Sequence, residues 1–349
     1  MSTAHARGTV RIVVPAGCGD PTRPSGGNVY DRRVEAGLTG LGWEVLGLEA
    51  PGTWPQPGPA DLESLAGLLA RMPDSALVLV DGLVGSAAAC VLLAENDRLR
   101  LVPLVHMPLD HEREGALLTA VTSVVTTSDW TRRWLVERYG LDDQALHTAE
   151  PGVDPAAPAA GSPGGRSLLC VAAVTPPKGH DVLLRALADL TDLEWRCTLV
   201  GSLELAPDFV DALRRLTRDA GLADRVDFAG TRGRDDVRAA YADADAVVLA
   251  SRAETYGMVV TEALAHGLPV VAAAVGGVPE AMGHDGDGAR PGLLVRPGDP
   301  ASLAGALRDW LEDPRLRRRL RRSAAHRRSS LPAWSDTASR VATVLEAAR

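Results

Sequence analysis

Lysine is all but absent. Of the 37 lysines and arginines among 349 residues, one is a lysine, Lys178, and the rest are arginine. A bias that strong keeps a lysine only where a guanidinium serves badly. Aromatic residues are scarce, at 4%, so the cores must be built from valine, leucine and alanine. The cysteines Cys18, Cys90, Cys170 and Cys197 lie far apart and show no CxxC spacing. That argues against a thiolate metal site and reads as reduced, mostly buried thiols in a cytoplasmic protein. No apolar run reaches the roughly 18 residues of a membrane span, and the apolar stretch in MSTAHARGTVRIVVP is too short for a signal peptide. Positive charge is in deficit. A net charge of −8 argues against nucleic acid as a partner, and any anionic ligand then needs a local positive site.

What the chain does contain is a globular balance, 46% hydrophobic and 23% charged, at a length that suits two domains. TVRIVVP (9–15), WEVLGL (43–48), ALVLVD (76–81), RLVPLVH (100–106) and TSVVTTS (122–128) read as strands covered on both faces. NVYDRRVEAGLTGLG (28–42) and GSAAACVLLAEND (85–97) read as helices between them. The rhythm stops in GVDPAAPAAGSPGGR (152–166), a linker rich in Gly, Pro and Ala. It restarts with SLLCVAAV, RCTLVG, RVDFAG, DAVVLAS, LPVVAAAV and GLLV. The fold class expected is α/β, two Rossmann-like doubly wound parallel sheets in succession. The domains expected are residues 1–155, residues 156–330, and a last amphipathic helix at 331–349. Trp334, Val341 and Leu345 would pack that helix back on the N-terminal domain. The stretch 313–330 carries eight arginines. It reads as a solvated helix, because Leu316 and Leu320 make too thin a stripe for insertion; a basic membrane-surface helix is the weaker alternative.

The segment SRAETYGMVVTEALAHGLPVVAAAVGGVPE (251–280) is the most informative. Gly257 permits a tight turn from a strand into the helix MVVTEALAH, and Gly267 closes that helix. The first turn of such a helix offers unpaired N–H groups and partial positive charge, a site for a phosphate or diphosphate. Glu254 and Glu262 flank it. Carboxylates repel a diphosphate, so they suit vicinal hydroxyls instead, one diol on each side. This pattern suggests a nucleotide diphosphate sugar. Lys178 follows the first strand of the second half, between Pro176-Pro177 and Gly179, where a compact ammonium can meet a phosphate.

These elements resemble the retaining glycosyltransferases of the GT-B fold, family 4. The resemblance rests on E-x7-E at Glu254 and Glu262, Lys178-Gly179, AVGGVPE at 274–280, GLLVRPGD at 292–299, and SGG at 25–27 before a helix. It implies two Rossmann-like domains facing across a cleft. It implies that Glu262 holds the ribose, and that Glu254 holds donor-sugar hydroxyls and faces the anomeric centre. Lys178 and Gly179, with Tyr256, Gly257, Met258 and Val259, would bind the diphosphate. Gly230 and Thr231 would meet the base, and Gly26 and Gly27 the phosphates. His106 would face the donor sugar, which makes Glu254, His106 and Lys178 the catalytic candidates. One departure stands out: Ala173 occupies a place where the family usually has an arginine, so either Arg252 or an arginine from the N-terminal half substitutes, or phosphate binding is weaker, or the donor or the chemistry differs.

The activity implied is transfer of a glycosyl group, with retention, from a nucleotide diphosphate sugar to a small-molecule or glycan acceptor. No cofactor or metal is expected, since the lysine and the helix start carry the leaving charge and no DxD-like acidic cluster stands at a strand end. The acceptor would lie near residues 26–31, 81–86 and 106–111, which include Tyr30, Asp81 and Asp110. A catalytically silent sugar-nucleotide-binding protein and a sugar-nucleotide epimerase are the alternatives. A nicotinamide oxidoreductase would need GxGxxG, which AGCGDPTRP (16–24) does not supply.

Overall fold

Parallel strands joined by helices must be apolar on both sides, and the runs named above are. The computed structural model describes residues 7–20, 25–162 and 164–349. Pro163, inside the expected linker, and residues 1–6 and 21–24 lie outside it. The first six strands are β1 (Gly8–Pro15), β2 (Trp43–Ala50), β3 (Leu77–Asp81), β4 (Arg100–Val105), β5 (Val124–Thr126) and β6 (Leu146–Thr148). The next six are β7 (Ser167–Val171), β8 (Arg196–Val200), β9 (Val226–Gly230), β10 (Ala246–Leu249), β11 (Val270–Ala273) and β12 (Gly292–Val295). They build two parallel sheets, ordered β2-β1-β3-β4-β5-β6 and β12-β11-β10-β7-β8-β9. The strand order reverses between β1 and β3 in the first sheet, and between β7 and β10 in the second. Crevices beyond the carboxyl ends of strands at such points are where ligands of open α/β sheets bind.

Successive residues of each central strand enter opposite cores. Val78 and Val80 join one cluster while Leu77 and Leu79 join the other. Leu168 and Cys170 are likewise separated from Leu169. Both parities must therefore be apolar, which leaves the sheet little room for polar function except at strand ends. Cys18, Cys170 and Cys197 are buried and Cys90 is exposed.

The chain divides into one unit of Met1–Gly152 with Pro332–Arg349 and a second of Val153–Leu331. The compositional reading placed these divisions after residues 155 and 330. Helix Trp334–Ala347 lies in the first unit, with Val341 and Leu345 fully buried in its core and Trp334 half-buried beside them. Each such aliphatic side chain contributes about 1.5–3 kcal/mol on burial. The helix crosses helix Gly26–Gly40 so closely that a Cβ on Gly37 would stand 2.4 Å from that of Ala338.

Three local expectations are corrected. The helix expected over 85–97 is two, Gly82–Ala87 and Ala89–Glu95, interrupted where Ala88 takes φ −109° and ψ 29°. The first begins early because Asp81 caps it, accepting from Leu83 N at 2.7 Å. β6 escapes the apolar-run criterion because LHT has a single apolar residue. The arginine-rich helix, Pro314–Arg328, is only partly solvated. Arg317 bonds the carbonyls of Trp310 and Leu311, and Arg321 reaches the buried Asp245 at 2.6 Å. Among the described residues no helix is long and apolar enough to cross a membrane.

Candidate functional site

In the second unit, β7 gives way to the tight turn Pro176–Lys178, which ends at Gly179 with φ 67°. A Cβ there would lie 2.0 Å from the carbonyl oxygen of Ala250, so only glycine lets the turn rest on the end of β10. Arg252 holds the same turn from the other side. Its guanidinium grips Asp181 through two hydrogen bonds, at 2.8 and 2.7 Å, and reaches the carbonyl of Pro176 at 2.9 Å. Arg252 is thus occupied as a brace, which corrects its candidacy as the substitute at Ala173. The turn presents Lys178, whose Nζ donates to Glu254 Oε1 at 2.7 Å. The same oxygen accepts from Ser251 Oγ at 2.8 Å.

Glu254 opens the turn into helix Met258–Ala265, entered through Gly257 at φ 91°. The Gly276-Gly277 pair seats this turn: Gly277 N donates to the carbonyl of Glu254 at 3.2 Å, and a Cβ on Gly276 would lie 1.5 Å from that oxygen. In the first helical turn Val260 N donates to the carbonyl of Gly257 at 2.8 Å, which leaves the N–H groups of Met258 and Val259 to face outward from the helix start. Met258 and Val259 are half-buried there, above the buried Tyr256. Glu262, one face further along the helix, accepts from Tyr241 Oη at 2.9 Å. Burial pushes its carboxyl above the usual range, and the Tyr241 hydrogen bond opposes that. Tyr241 in turn stacks on His266 at 4.9 Å. Lys178, Glu254 and the turn at Gly257 therefore meet where the sheet order reverses. Gly230, with φ 72°, and the exposed Thr231 end β9, at the far edge of the sheet.

In the first unit, Ser25 caps helix Gly26–Gly40, accepting from Asn28 N at 3.1 Å, so Gly26 and Gly27 are its first residues. A Cβ on Gly27 would touch the His106 ring at 3.5 Å. His106 follows β4. Its Nε2 is 2.8 Å from Asp31 Oδ1 and 3.4 Å from Asp81 Oδ2, and Tyr30 meets the ring edge-on at 5.0 Å. Burial alone would lower the imidazole pKa. The charge of Asp31, its hydrogen bond and the charge of Asp81 outweigh burial and push it up to about 9. Burial raises Asp81.

Asp31, on helix Gly26–Gly40, and Asp81, at the end of β3, do therefore assemble, although no DxD-like spacing announces them. Among the described residues this trio is the one group whose oxygen and nitrogen atoms converge as for a cation, all within 4.8 Å. His106 Nε2 is itself one of these atoms, within hydrogen-bond reach of Asp31 Oδ1. Of the other acceptor-side candidates, Tyr30 is buried and donates to the carbonyl of Ala149 at 2.8 Å, which removes its hydroxyl from use. Asp110 is exposed and pairs with Arg138 at 2.6 Å. Sequence reading missed Asp31 and Glu114. Glu114 is fully buried and accepts from Ser86, Leu109 N, Asp110 N and Tyr139 Oη, which fixes the loop after His106.

Residues 159–327 match the family model described as glycosyl transferases group 1. A D-inositol 3-phosphate glycosyltransferase of Kineococcus radiotolerans is 36% identical over 248 residues, 64% of this chain and 57% of that protein. One from Streptomyces avermitilis is 34% identical over 254 residues, 67% of this chain and 54% of that protein. The chain thus spans little more than half the length of these curated relatives. Among solved structures, sucrose-phosphate synthase of Thermosynechococcus elongatus superposes with a TM-score of 0.77 at 22% identity, covering 97% of this chain and 98% of that one. Anabaena Alr3699/HepE in complex with UDP-glucose superposes with a TM-score of 0.76 at 19% identity, covering 97% and 99%. The chain shares the fold of these two structures.

Proposed function

We propose that this chain, whose residues 159–327 match the glycosyl transferases group 1 family model, moves a sugar from a nucleotide diphosphate sugar to an acceptor hydroxyl, with retention at the anomeric carbon. One observation carries the reading. The only lysine of the chain, a carboxylate and a helix start converge at the strand-order reversal of the second sheet. The ammonium and the first-turn N–H groups are the positive groups a departing diphosphate requires. A diphosphate that draws Lys178 releases Glu254 to accept from the hydroxyls of the donor sugar. Glu262, with Tyr241 behind it, offers its carboxylate to a ribose diol.

In this reading the bond from the anomeric carbon to the leaving phosphate oxygen breaks, and the bond to the acceptor oxygen forms on the same face. The leaving oxygen takes the acceptor proton. Lys178 and the helix start hold the charge left behind, without a metal. The UDP-glucose complex of Alr3699/HepE supports a uridine diphosphate sugar as the first donor to try. The names of the relatives in turn support a polyol as acceptor. The test is a calorimetric titration with UDP, GDP, ADP and dTDP, followed by NMR of the anomeric proton in the product. Binding no tighter than that of the matching nucleosides would sink the reading, and an inverted product would remove retention.

A further inference from the structure

Helix Pro314–Arg328 holds eight arginines, and residues 314–335 contain no aspartate or glutamate, in a chain of net charge −8. Replacement of lysine by arginine accounts for the first fact and not for the second. The eight divide by what they touch. Arg317 bonds the carbonyls of Trp310 and Leu311, Arg321 the carboxylate of Asp245, Arg327 the carbonyl of Met282 and Arg328 that of Ala265. Leu320 and Ala324 are buried and Leu316 packs against the core. Arg315, Arg318, Arg319 and Arg322 are exposed, and among the described residues none of these four side chains forms an ion pair or a hydrogen bond. At positions i, i+3, i+4 and i+7 they share one face of the helix. The exposed His326 extends that face to about 17 Å at 1.5 Å per residue.

We propose that this face is a docking surface for an anionic phospholipid membrane, held by ion pairs between the four guanidiniums and lipid phosphates, with no insertion of the helix. The surface is independent of the transfer reading, since none of the four residues belongs to the diphosphate site.

The helix bears a cost for this face that nothing among the described residues offsets. Like charges three or four positions apart on a helix repel. Arg315 with Arg318, Arg315 with Arg319, Arg318 with Arg322 and Arg319 with Arg322 are four such pairs. Arg315 also lies in the first turn, at the positive end of the helix dipole, and no acidic residue stands in that turn. A layer of phosphates turns these repulsions into attraction. Charge complementarity thus calls for a polyanion, and the form of the face selects among polyanions. The flanks of the helix are tied down through Arg317, Arg321 and Arg328, which leaves one straight stripe open. A plane of headgroups can meet all four guanidiniums at once. A helix that enters the major groove of a duplex needs its flanks free, and a single strand needs aromatic side chains to stack on; this stripe offers neither. Leu316, Leu320 and Ala324 face inward, so nothing remains to penetrate the bilayer, and the attachment is electrostatic and sensitive to salt.

The test is co-sedimentation of the full chain with two kinds of vesicle: phosphatidylcholine alone, and phosphatidylcholine with phosphatidylglycerol in equal parts. The wild type should bind the mixed vesicles and not the neutral ones, and should be released as salt rises past about 0.15 M. The quadruple variant Arg315→Gln, Arg318→Gln, Arg319→Gln and Arg322→Gln should bind at least about a hundredfold more weakly, at roughly fivefold for each arginine near the surface. It should match the wild type in UDP titration and melt no lower, because these side chains have no partner inside the protein. If it fails to fold, the pair Arg318→Gln with Arg322→Gln should still lose about tenfold or more. Arg317→Gln should do the reverse, lowering the melting temperature through two lost carbonyl bonds while changing vesicle binding little. No binding to the mixed vesicles, equal binding to the neutral ones, or unchanged binding in the quadruple variant would each overturn the docking surface. Tighter capture by a DNA duplex or a single-stranded RNA than by the mixed vesicles would put nucleic acid in place of the membrane and overturn it too. Vesicle binding that the quadruple variant loses, without donor turnover in either protein, would uphold the surface and sink only the transfer reading.

Discussion

Lys178 and Glu254, 76 positions apart in the sequence, meet at 2.7 Å. They do so because the loops after β7 and β10 leave the sheet side by side, where the strand order reverses. A charged hydrogen bond of this kind is worth about 1.5–3 kcal/mol.

Lys178→Ala should weaken nucleoside diphosphate binding by roughly ten- to a hundredfold, since each 1.4 kcal/mol is a factor of ten. Nucleoside binding should hardly change. Calorimetry with UDP and uridine reads the difference, and equal losses for both would remove the phosphate role.

Tyr241→Phe tests the ribose carboxylate. Burial raises Glu262 and the Tyr241 hydroxyl counteracts it, so removing the hydroxyl raises Glu262 further. A protonated Glu262 loses part of its capacity to accept from a diol. UDP affinity should therefore decline toward acid at a higher pH than in the wild type. Dissociation constants measured between about pH 5 and 8 should show the two curves separating.

Arg252→Ala removes the brace on the Pro176–Lys178 turn. The Arg252 side chain is 41% exposed, so the direct stability loss should be modest, about 0.5–1 kcal/mol. UDP affinity should drop severalfold nevertheless, because the ammonium is no longer held in place. Hydrogen bonding to Arg252 holds Asp181 below the usual carboxylate range. Its contribution is complete above the ordinary carboxylate value and lost as pH falls through the lowered one. Wild type and variant should thus differ in melting temperature at neutral pH and converge in strong acid.

Glu114→Ala removes the shared acceptor of the buried Ser86, the half-buried Tyr139 and two backbone N–H groups. The expected cost is at least about 3 kcal/mol, read from urea denaturation. Glu114→Gln, which keeps the shape and one acceptor oxygen, should recover part of it.

The sequence disclosed what is local. β3 and β10 announce themselves because both parities of VLV and VVL must be apolar. The turn at Gly257 is legible because φ 91° is a glycine conformation, and Lys178 because it stands alone. What stayed hidden depends on which strand lies beside which. Asp31 and His106 are 75 residues apart, and only the order β1-β3-β4 brings them together. Glu114 looks like an ordinary first-turn acid, because its backbone N–H caps on His111 at 3.0 Å. No periodicity reveals that its carboxylate gathers donors from three other segments. Arg252 is chosen by Asp181 across a loop, a pairing that spacing does not encode.

Because helix Trp334–Ala347 completes the core of the first unit, that unit is written in two pieces with the whole second unit between them. During synthesis the first 152 residues leave the ribosome with the apolar faces of Tyr30, Val34 and Leu38 still uncovered. They wait while residues 153–331 emerge and close on themselves as one contiguous body. The part translated first is therefore the last to reach its native state, and deletion of the final sixteen residues should harm the N-terminal sheet more than the sheet beside it in the gene.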